Sequence, residues 1–440
     1  MALAAVSEFG YRGLNVCKEF QGLQLQCRCL RIPCRALSRP FRCHRGFTSA
    51  QASAHHEKLQ VALDVVQRAC LICTSVQSGM QKGQGQLDKV DNTPVTIADF
   101  SVQAFVSLEL GRLFPGIPLV GEENASQLRA EHEEKLASGD WGKQTIIETV
   151  VDVLAPVVSP EVGKLNCDIV LDAIDRGAMS ASTATDRQRS YWVLDPIDGT
   201  RGFLRGGNAL YVVGLALVDD GKPVLGVMGC PNVAIQFNQD RTVIKMASTY
   251  FKSEHFKPDE IYQRGLVMAA SLGEGCWVQP LAESTSSNSI MLKSEVDNSK
   301  AVPDSWFCIS DNEVWSKSPL AHALASSHAG KHLMKEKMQV LSLCCGSLCK
   351  YFAVALGGVS AFLLQADRST PLKVWDHASG AICVSEAGGQ VVDLEGTALA
   401  DSIGNSKDVF TVKGGGIFAS NKNLHHLLAD IRSQTAAVGQ

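Results

Sequence analysis

The 440-residue sequence has no apolar run approaching the length needed to span a bilayer. The longest candidate, Tyr351 to Leu364, is short and carries Gly357, Gly358 and Ser360. Charge of one sign is also scarce: the formal net charge is -4, so no general basic field points to DNA or RNA. The first 50 residues lack a compact apolar segment followed by a small-residue cleavage site, which argues against a secretory signal. Cys70-Leu71-Ile72-Cys73 has no second pair to complete a zinc site. No internal repeat is visible. What remains is an ordinary globular composition, 45% hydrophobic, long enough for two domains or one large one.

The N-terminus is different. Residues 1–50 carry Arg12, Arg28, Arg31, Arg35, Arg39, Arg42 and Arg45, against only Glu8 and Glu19. An Arg-rich, acid-poor leader of this kind reads as an organelle transit peptide. Its poverty in Ser favours the mitochondrion over the chloroplast, and a plain basic tail is the bland alternative. Five of the 15 cysteines (Cys17, Cys27, Cys29, Cys34, Cys43) fall in this leader. The others sit in apolar settings and read as buried free thiols. Cys344, Cys345 and Cys349 surround a candidate binding segment, a candidate place for redox sensitivity.

Beyond the leader, Leu59, Ala62, Leu63, Val66, Ala69 and Cys73 mark a helix face. A polar loop, Ser78 to Asp91, leads through Thr93–Thr96 and Ala98-Asp99 into a second helix that Phe114-Pro115-Gly116 stops. A short strand, Ile117 to Val120, precedes Gly121-Glu122-Glu123. Two helices and a polar loop are expected over 124–190, and then a strand at Trp192–Leu194. Asp219-Asp220-Gly221-Lys222 signals a hairpin between strands at 211–218 and 223–228. A Ser/Asn-rich stretch, 282–304, suggests a boundary, giving domains of 51–300 and 301–440. The second half alternates strands with helices at 317–326, 347–357, 376–387 and 422–433, as a layered α/β domain does.

The chemistry concentrates in four carboxylate positions at the ends of apolar strands. Glu122 follows Ile117–Val120, Asp195 and Asp198 follow Trp192–Leu194, and Asp376 follows Lys373-Val374-Trp375. Singly, each has a bland explanation: Asp376 precedes Ala378 and reads as a helix N-cap, and a loop Glu is ordinarily solvated. Together they do not, because unpaired charges are costly at the end of a buried strand. Carboxylates around a stiff Pro196 suit a hard divalent cation. Gly199-Thr200 adds backbone N–H groups and a hydroxyl, which can hold a phosphate oxygen or a water.

Gly121-Glu122-Glu123, Asp195-Pro196-Ile197-Asp198-Gly199-Thr200 and Trp375-Asp376, in that order, resemble the inositol monophosphatase superfamily of magnesium-dependent, lithium-sensitive phosphatases. The run Arg201 to Gly207, the segment Asp91-Asn92-Thr93-Pro94-Val95-Thr96 and the segment Trp375 to Gly380 are similar to its 3′(2′),5′-bisphosphate nucleotidase branch. With the leader, the chain resembles organellar plant members of that branch, over residues of about 56 to 430. The resemblance implies α+β and α/β architecture, a layered α-β-α-β-α sandwich. It implies hydrolysis of the 3′-phosphate of 3′-phosphoadenosine 5′-phosphate (PAP) to AMP and phosphate, with the sulfated analogue PAPS as a further candidate. This would place the chain in sulfur metabolism.

The resemblance also implies roles. Glu122, Asp195, Asp198, Asp376 and the carbonyl of Ile197 correspond to ligands of two or three Mg2+ ions. Asp91 and Thr200 match the pair that orients and deprotonates the attacking water. Gly199 and Thr200 face the phosphate. On the nucleotide side, Ser327 and His328 in Ser326-Ser327-His328 resemble the adenosine-lining segment, although Ala329 replaces a frequent Ser. Ser347 and Lys350 resemble residues holding the second phosphate, a sensible place for a cation. One position departs: Gln365 stands where the family usually has Arg, and Gln cannot make the bidentate ionic contact of Arg. Arg368 lies three residues on. The implied partner is a small nucleotide, with no nucleic acid or membrane, in a monomer or homodimer. An inositol polyphosphate 1-phosphatase is the rival within the class, and a non-catalytic nucleotide sensor the rival outside it.

Overall fold

In the computed structural model the described residues are 55–80, 86–88, 94–139, 142, 144–178, 190–237, 244–246, 261–281, 291–311, 314–317, 321–322, 339–343, 346–366, 371–404 and 408–429. All belong to one compact unit, Phe41–Gln440. The leader, Asp91, Ser326, Ser327, His328, Cys344, Cys345 and Arg368 lie outside the described residues.

The chain opens with helix α1 (His56–Met80), then a hairpin of β1 (Gln86–Asp88) and β2 (Pro94–Thr96), which leads directly into α2 (Ile97–Leu113). A pure loop was expected where β1 lies; its three residues carry too little alternation to show. Next come β3 (Leu119–Gly121) and three helices, α3 (Ser126–Ser138), α4 (Ile146–Leu154) and α5 (Cys167–Gly177), rather than the two expected. The signals for α4 and α5 are local: Thr145 and Glu148 form a reciprocal cap at α4, and Asn166 caps α5. Strand β4 (Ser190–Asp198) and the short helix α6 (Thr200–Arg205) follow.

The rest of the first sheet is β5 (Val212–Asp219), β6 (Lys222–Phe237), β7 (Ile244–Met246), β8 (Ile261–Ser271), β9 (Gly275–Pro280) and β10 (Leu292–Ser294). The β5–β6 turn is the expected hairpin, with Asp220 and Gly221 both at positive φ. Strand order is β10-β9-β8-β6-β5-β4-β3, with β7 on β6; β3 runs parallel to β4 and the other pairs are antiparallel.

A second, five-stranded sheet contains β11 (Trp306–Ser310), β12 (Gln339–Leu343), β13 (Ala361–Gln365), β15 (Gly389–Asp393) and β17 (Gly416–Asn421), in the order β12-β11-β13-β17-β15. Helix α7 (Ser347–Ala355) precedes β13. Strand β14 (Leu372–Lys373), helix α8 (Ala378–Glu386) and, after β15, α9 (Leu399–Gly404) and β16 (Val409–Phe410) follow, with short 3-10 turns between elements, the last at Lys422–Leu424.

Alternation along the central strands places the layers. On β4 and β5, Trp192, Leu194, Val213, Leu215 and Leu217 pack with α1, α2, α4 and α5. Their alternate neighbours Val193, Val212, Ala216 and Val218 pack the other way, onto Leu348, Ala378, Ala381 and Ile382 of α7 and α8. The inner face of the second sheet (Cys308, Phe362, Ile417, Ala419) closes on that same helical pair. Its outer face (Phe307, Ala361, Phe418) is covered by Leu424, Leu427 and Leu428. The order α-β-α-β-α is the architecture expected.

Helix α1 corrects one sequence reading. From His56 to Gly79 it is long and apolar enough to cross a membrane. Its apolar positions, Leu59, Ala62, Val66, Ala69 and Cys73, are buried against the first sheet, as in the core helix of a globular domain.

Candidate metal centre

Strand β4 brings two carboxylates to one place by an irregularity. In a regular strand, residues three apart point to opposite faces. Here Asp195 pairs with Gly214 and Asp198 with Val212, so three steps on β4 oppose two on β5. The extra residue reverses the alternation, as β-bulges do. Pro196 sits inside it, where its missing N–H costs no ladder bond. Asp195 and Asp198 therefore share a side.

Asp376 meets them there. Asp195, Asp198 and Asp376 each offer a carboxylate oxygen, and these atoms lie within 4.8 Å of one another. Asp376 sits in the turn between β14 and α8. The helix N-cap is His377 and not Asp376, and no side chain caps that helix. The Asp376 carboxylate is turned toward Asp195 and Asp198. That corrects its reading as a cap.

The cluster's electrostatics are those of negative charge out of water. Burial pushes the Asp195 carboxyl well above the carboxylate range, and Glu122, Asp198, Asp376 and Asp99 push it further. Burial, then Asp198 and Glu122, raise Asp376 to about 8, against smaller opposing effects of the neighbouring Asp195 and of Lys373. Asp195 Oδ1 is buried and has no hydrogen-bond partner. An orphaned carboxylate oxygen among other carboxylates suits a hard divalent cation, which takes oxygen ligands.

Neighbouring segments hold the cluster's members. The Asp198 carboxylate accepts from the backbone N–H of Ser347 (3.0 Å) and of Cys349 (3.2 Å), at the positive end of α7. Gly346 makes this approach possible, since a Cβ there would collide with Asp198 Oδ2. Glu122 is half-buried just past β3. Its loop is stitched by the buried Gln103 amide, which donates to the Glu123 and Ile174 carbonyls and accepts from the Glu123 N–H. Gly199 takes φ 87°, turning the chain from β4 into α6, and the Thr200 hydroxyl donates to the Ile197 carbonyl at 3.3 Å.

The other predicted site residues fall as follows. Ser347 is half-buried beside Asp198. Lys350 is buried, not a solvated surface lysine, and its amino group donates to the Gly346 carbonyl at 2.9 Å. Gln365 is exposed at the end of β13. Cys349 is buried behind Asp198, its thiol directed at the Asp198 carbonyl.

Sequence reasoning missed Asp99, a buried carboxylate in the first turn of α2 whose charge reaches Asp195. The available signal was a carboxylate set in the apolar run Ile97-Ala98-Asp99-Phe100. It also missed Tyr351 and His377, two buried rings whose Oη and Nδ1 lie 3.0 Å apart. Burial, and then Lys350, hold His377 down at about 3, so its imidazole is neutral.

Fold and site together define a layered α/β protein with a carboxylate nest that can hold a metal ion. The model of the inositol monophosphatase family matches residues 55–436, and the chain belongs to that family. Its relatives include an Arabidopsis thaliana protein named as a mitochondrial 3′(2′),5′-bisphosphate nucleotidase. The two are 38% identical over 398 residues, 90% of this chain and 91% of the relative. A 3′(2′),5′-bisphosphate nucleotidase of Schizosaccharomyces pombe is 31% identical over 357 residues, 79% of this chain and 88% of that one. Among solved structures, a Thermotoga maritima IMPase shares the fold with a TM-score of 0.50 at 15% identity, over 87% of this chain and 99% of that one.

Proposed function

We propose that this protein is a Mg2+-dependent 3′(2′),5′-bisphosphate nucleotidase that hydrolyses PAP to AMP and phosphate by direct transfer to water. The observation that carries the reading is that Asp195 and Asp198, brought to one side by a strand bulge, converge with Asp376 within 4.8 Å. The names of the relatives supply the substrate class. Glu122, Asp195, Asp198, Asp376 and the Ile197 carbonyl would hold two or three Mg2+ ions. When bound, Mg2+ lowers the pKa of a water and offsets charge on the leaving oxygen.

The protein's own groups do the rest. Thr200 orients the water, and its hydroxyl stands at the end of the bulge, on the Ile197 carbonyl. Gly199 and Thr200 offer N–H groups to the phosphate. The proton acceptor has two candidates, Asp91, which the resemblance implies, and Asp99. Asp99 is buried and felt by Asp195, where a base for a water in this nest belongs. Asp99→Asn and Asp91→Asn separate the two: the variant that loses activity at every pH while still binding Mg2+ marks the base.

Residues 51–300 then supply most of the metal site, and 301–440 the nucleotide contacts. Ser347 and Lys350 would hold the second phosphate; in support, Ser347 donates its N–H to Asp198, and the Lys350 amino group lies on the Gly346 carbonyl in the same turn. Ser327 and His328 complete the nucleotide side in this reading. The Arg-rich leader would direct mitochondrial import, which the name of the Arabidopsis relative supports; a fusion of residues 1–50 to a fluorescent protein tests it.

Phosphate release from PAP, PAPS, inositol 1,4-bisphosphate and inositol 1-phosphate at fixed Mg2+ tests the function. PAP is expected to be hydrolysed fastest, with Asp198→Asn abolishing release. Faster turnover of the inositol bisphosphate would favour an inositol polyphosphate 1-phosphatase. Binding of PAP without any release would leave a nucleotide sensor.

A further inference from the structure

Helix α7 is bonded once to the carboxylate nest and once directly beside it. Its first turn donates the Ser347 and Cys349 N–H groups to Asp198. On the same helix, the Tyr351 hydroxyl lies 3.0 Å from His377 Nδ1, and His377 directly follows Asp376 in the chain. Both rings are fully buried. The Tyr351 ring stands edge-on to Phe362 (centroids 4.8 Å apart) and perpendicular to the His377 ring (5.8 Å), which in turn meets Phe410 edge-on (5.6 Å). Gly380, in the first turn of α8, has no side chain because a Cβ there would run into the Tyr351 ring. The His377 N–H also closes onto the Val374 carbonyl at 3.1 Å, so residue 377 is fixed by backbone and side chain alike. Asp376 lies between these fixed points. α7 is thus a strut, tied to Asp198 at one end and to the residue after Asp376 one turn later.

We infer that Tyr351 and His377 are positioning residues: their hydrogen bond sets the separation of Asp376 from Asp198, and with it the protein's affinity for divalent cations. The inference rests on the metal-site reading and deepens it. Neither side chain touches the reacting atoms. Both act through the backbone on either side of a ligand, as outer groups act on metal sites. A hydroxyl removed from a buried pair also leaves the imidazole nitrogen unsatisfied, so the turn holding Asp376 gains freedom.

The test is calorimetric titration of Mg2+ into the full chain, with melting temperature in EDTA as the control for folding. Tyr351→Phe keeps the ring and deletes the bond. It is expected to raise the Mg2+ dissociation constant about tenfold, the lower end of what outer groups contribute. At saturating Mg2+ the KM for PAP is expected to move less than about twofold, because nucleotide contacts are untouched. His377→Asn, whose amide nitrogen can stand where Nδ1 stands, is expected to keep wild-type affinity, and His377→Leu to lose it as Tyr351→Phe does. The histidine pair decides the matter if Tyr351→Phe fails to fold. A merely structural role would lower the melting temperature and leave Mg2+ affinity unchanged, and that result overturns the inference. A wild-type protein that takes up no Mg2+ overturns the metal-site reading itself, a distinguishable outcome.

Discussion

At the scale of single residues, much of the site could be read directly. Asp195 and Asp198 announce themselves because an apolar strand should not end in two unpaired acids. Lys350 was legible as a residue type but not as a position. A lysine in a short helix reads as solvated, whereas this one is buried with its amino group on the Gly346 carbonyl. If it serves the second phosphate, Lys350→Ala should raise KM for PAP far more than it lowers kcat on p-nitrophenyl phosphate, which lacks that phosphate. Equal losses on both substrates would remove the assignment. Asp99, Tyr351 and His377 escaped because nothing local distinguishes a buried polar residue from an exposed one. Only packing does that.

At the scale of elements, the decisive features are relations between segments. The extra residue in β4 is defined by its pairing with β5, so no reading of Trp192 to Asp198 alone shows that the two acids share a side. The same holds for Gly346, whose lack of a side chain matters only because Asp198 reaches α7 from another element. Gly346→Ala should press a methyl into that carboxylate. We expect a loss of about 1–3 kcal/mol of stability, typical of overpacking, together with weaker Mg2+ binding. A denaturant titration and a metal titration on the same variant check both, and unchanged values would mean that α7 does not hold Asp198 as described. The alternation of apolar residues, by contrast, was plain in β4 and β5, and so were most helices and the β5–β6 turn. Elements of three residues, such as β1, were not.

At the scale of the molecule, crowding of acids between the two sheets makes stability depend on pH in a specific direction. Asp195 and Asp376 bind protons more tightly in the folded chain than at the ordinary value of 3.8, with Asp376 raised to about 8. Their stabilising contribution in the metal-free protein is therefore complete below about pH 4. It declines as pH rises and is lost above about pH 8 for Asp376. Metal-free Asp376→Asn should be more stable than the wild type at pH 8.5, and the gap should narrow by pH 5. Added Mg2+ should raise the wild-type melting temperature most at the alkaline end, where the carboxylates are already free of protons. Thermal melts across pH, with EDTA or with Mg2+, read both effects. A wild type whose metal-free stability rises from pH 5 to 8.5 relative to the variant would contradict this electrostatic picture.

The most direct measurement is anomalous diffraction from crystals grown with Mn2+ in place of Mg2+. The account predicts peaks in the nest, within about 2.6 Å of carboxylate oxygens from both Asp198 and Asp376. Crystals whose Mn2+ sits elsewhere, with these oxygens bound only to water, would contradict it.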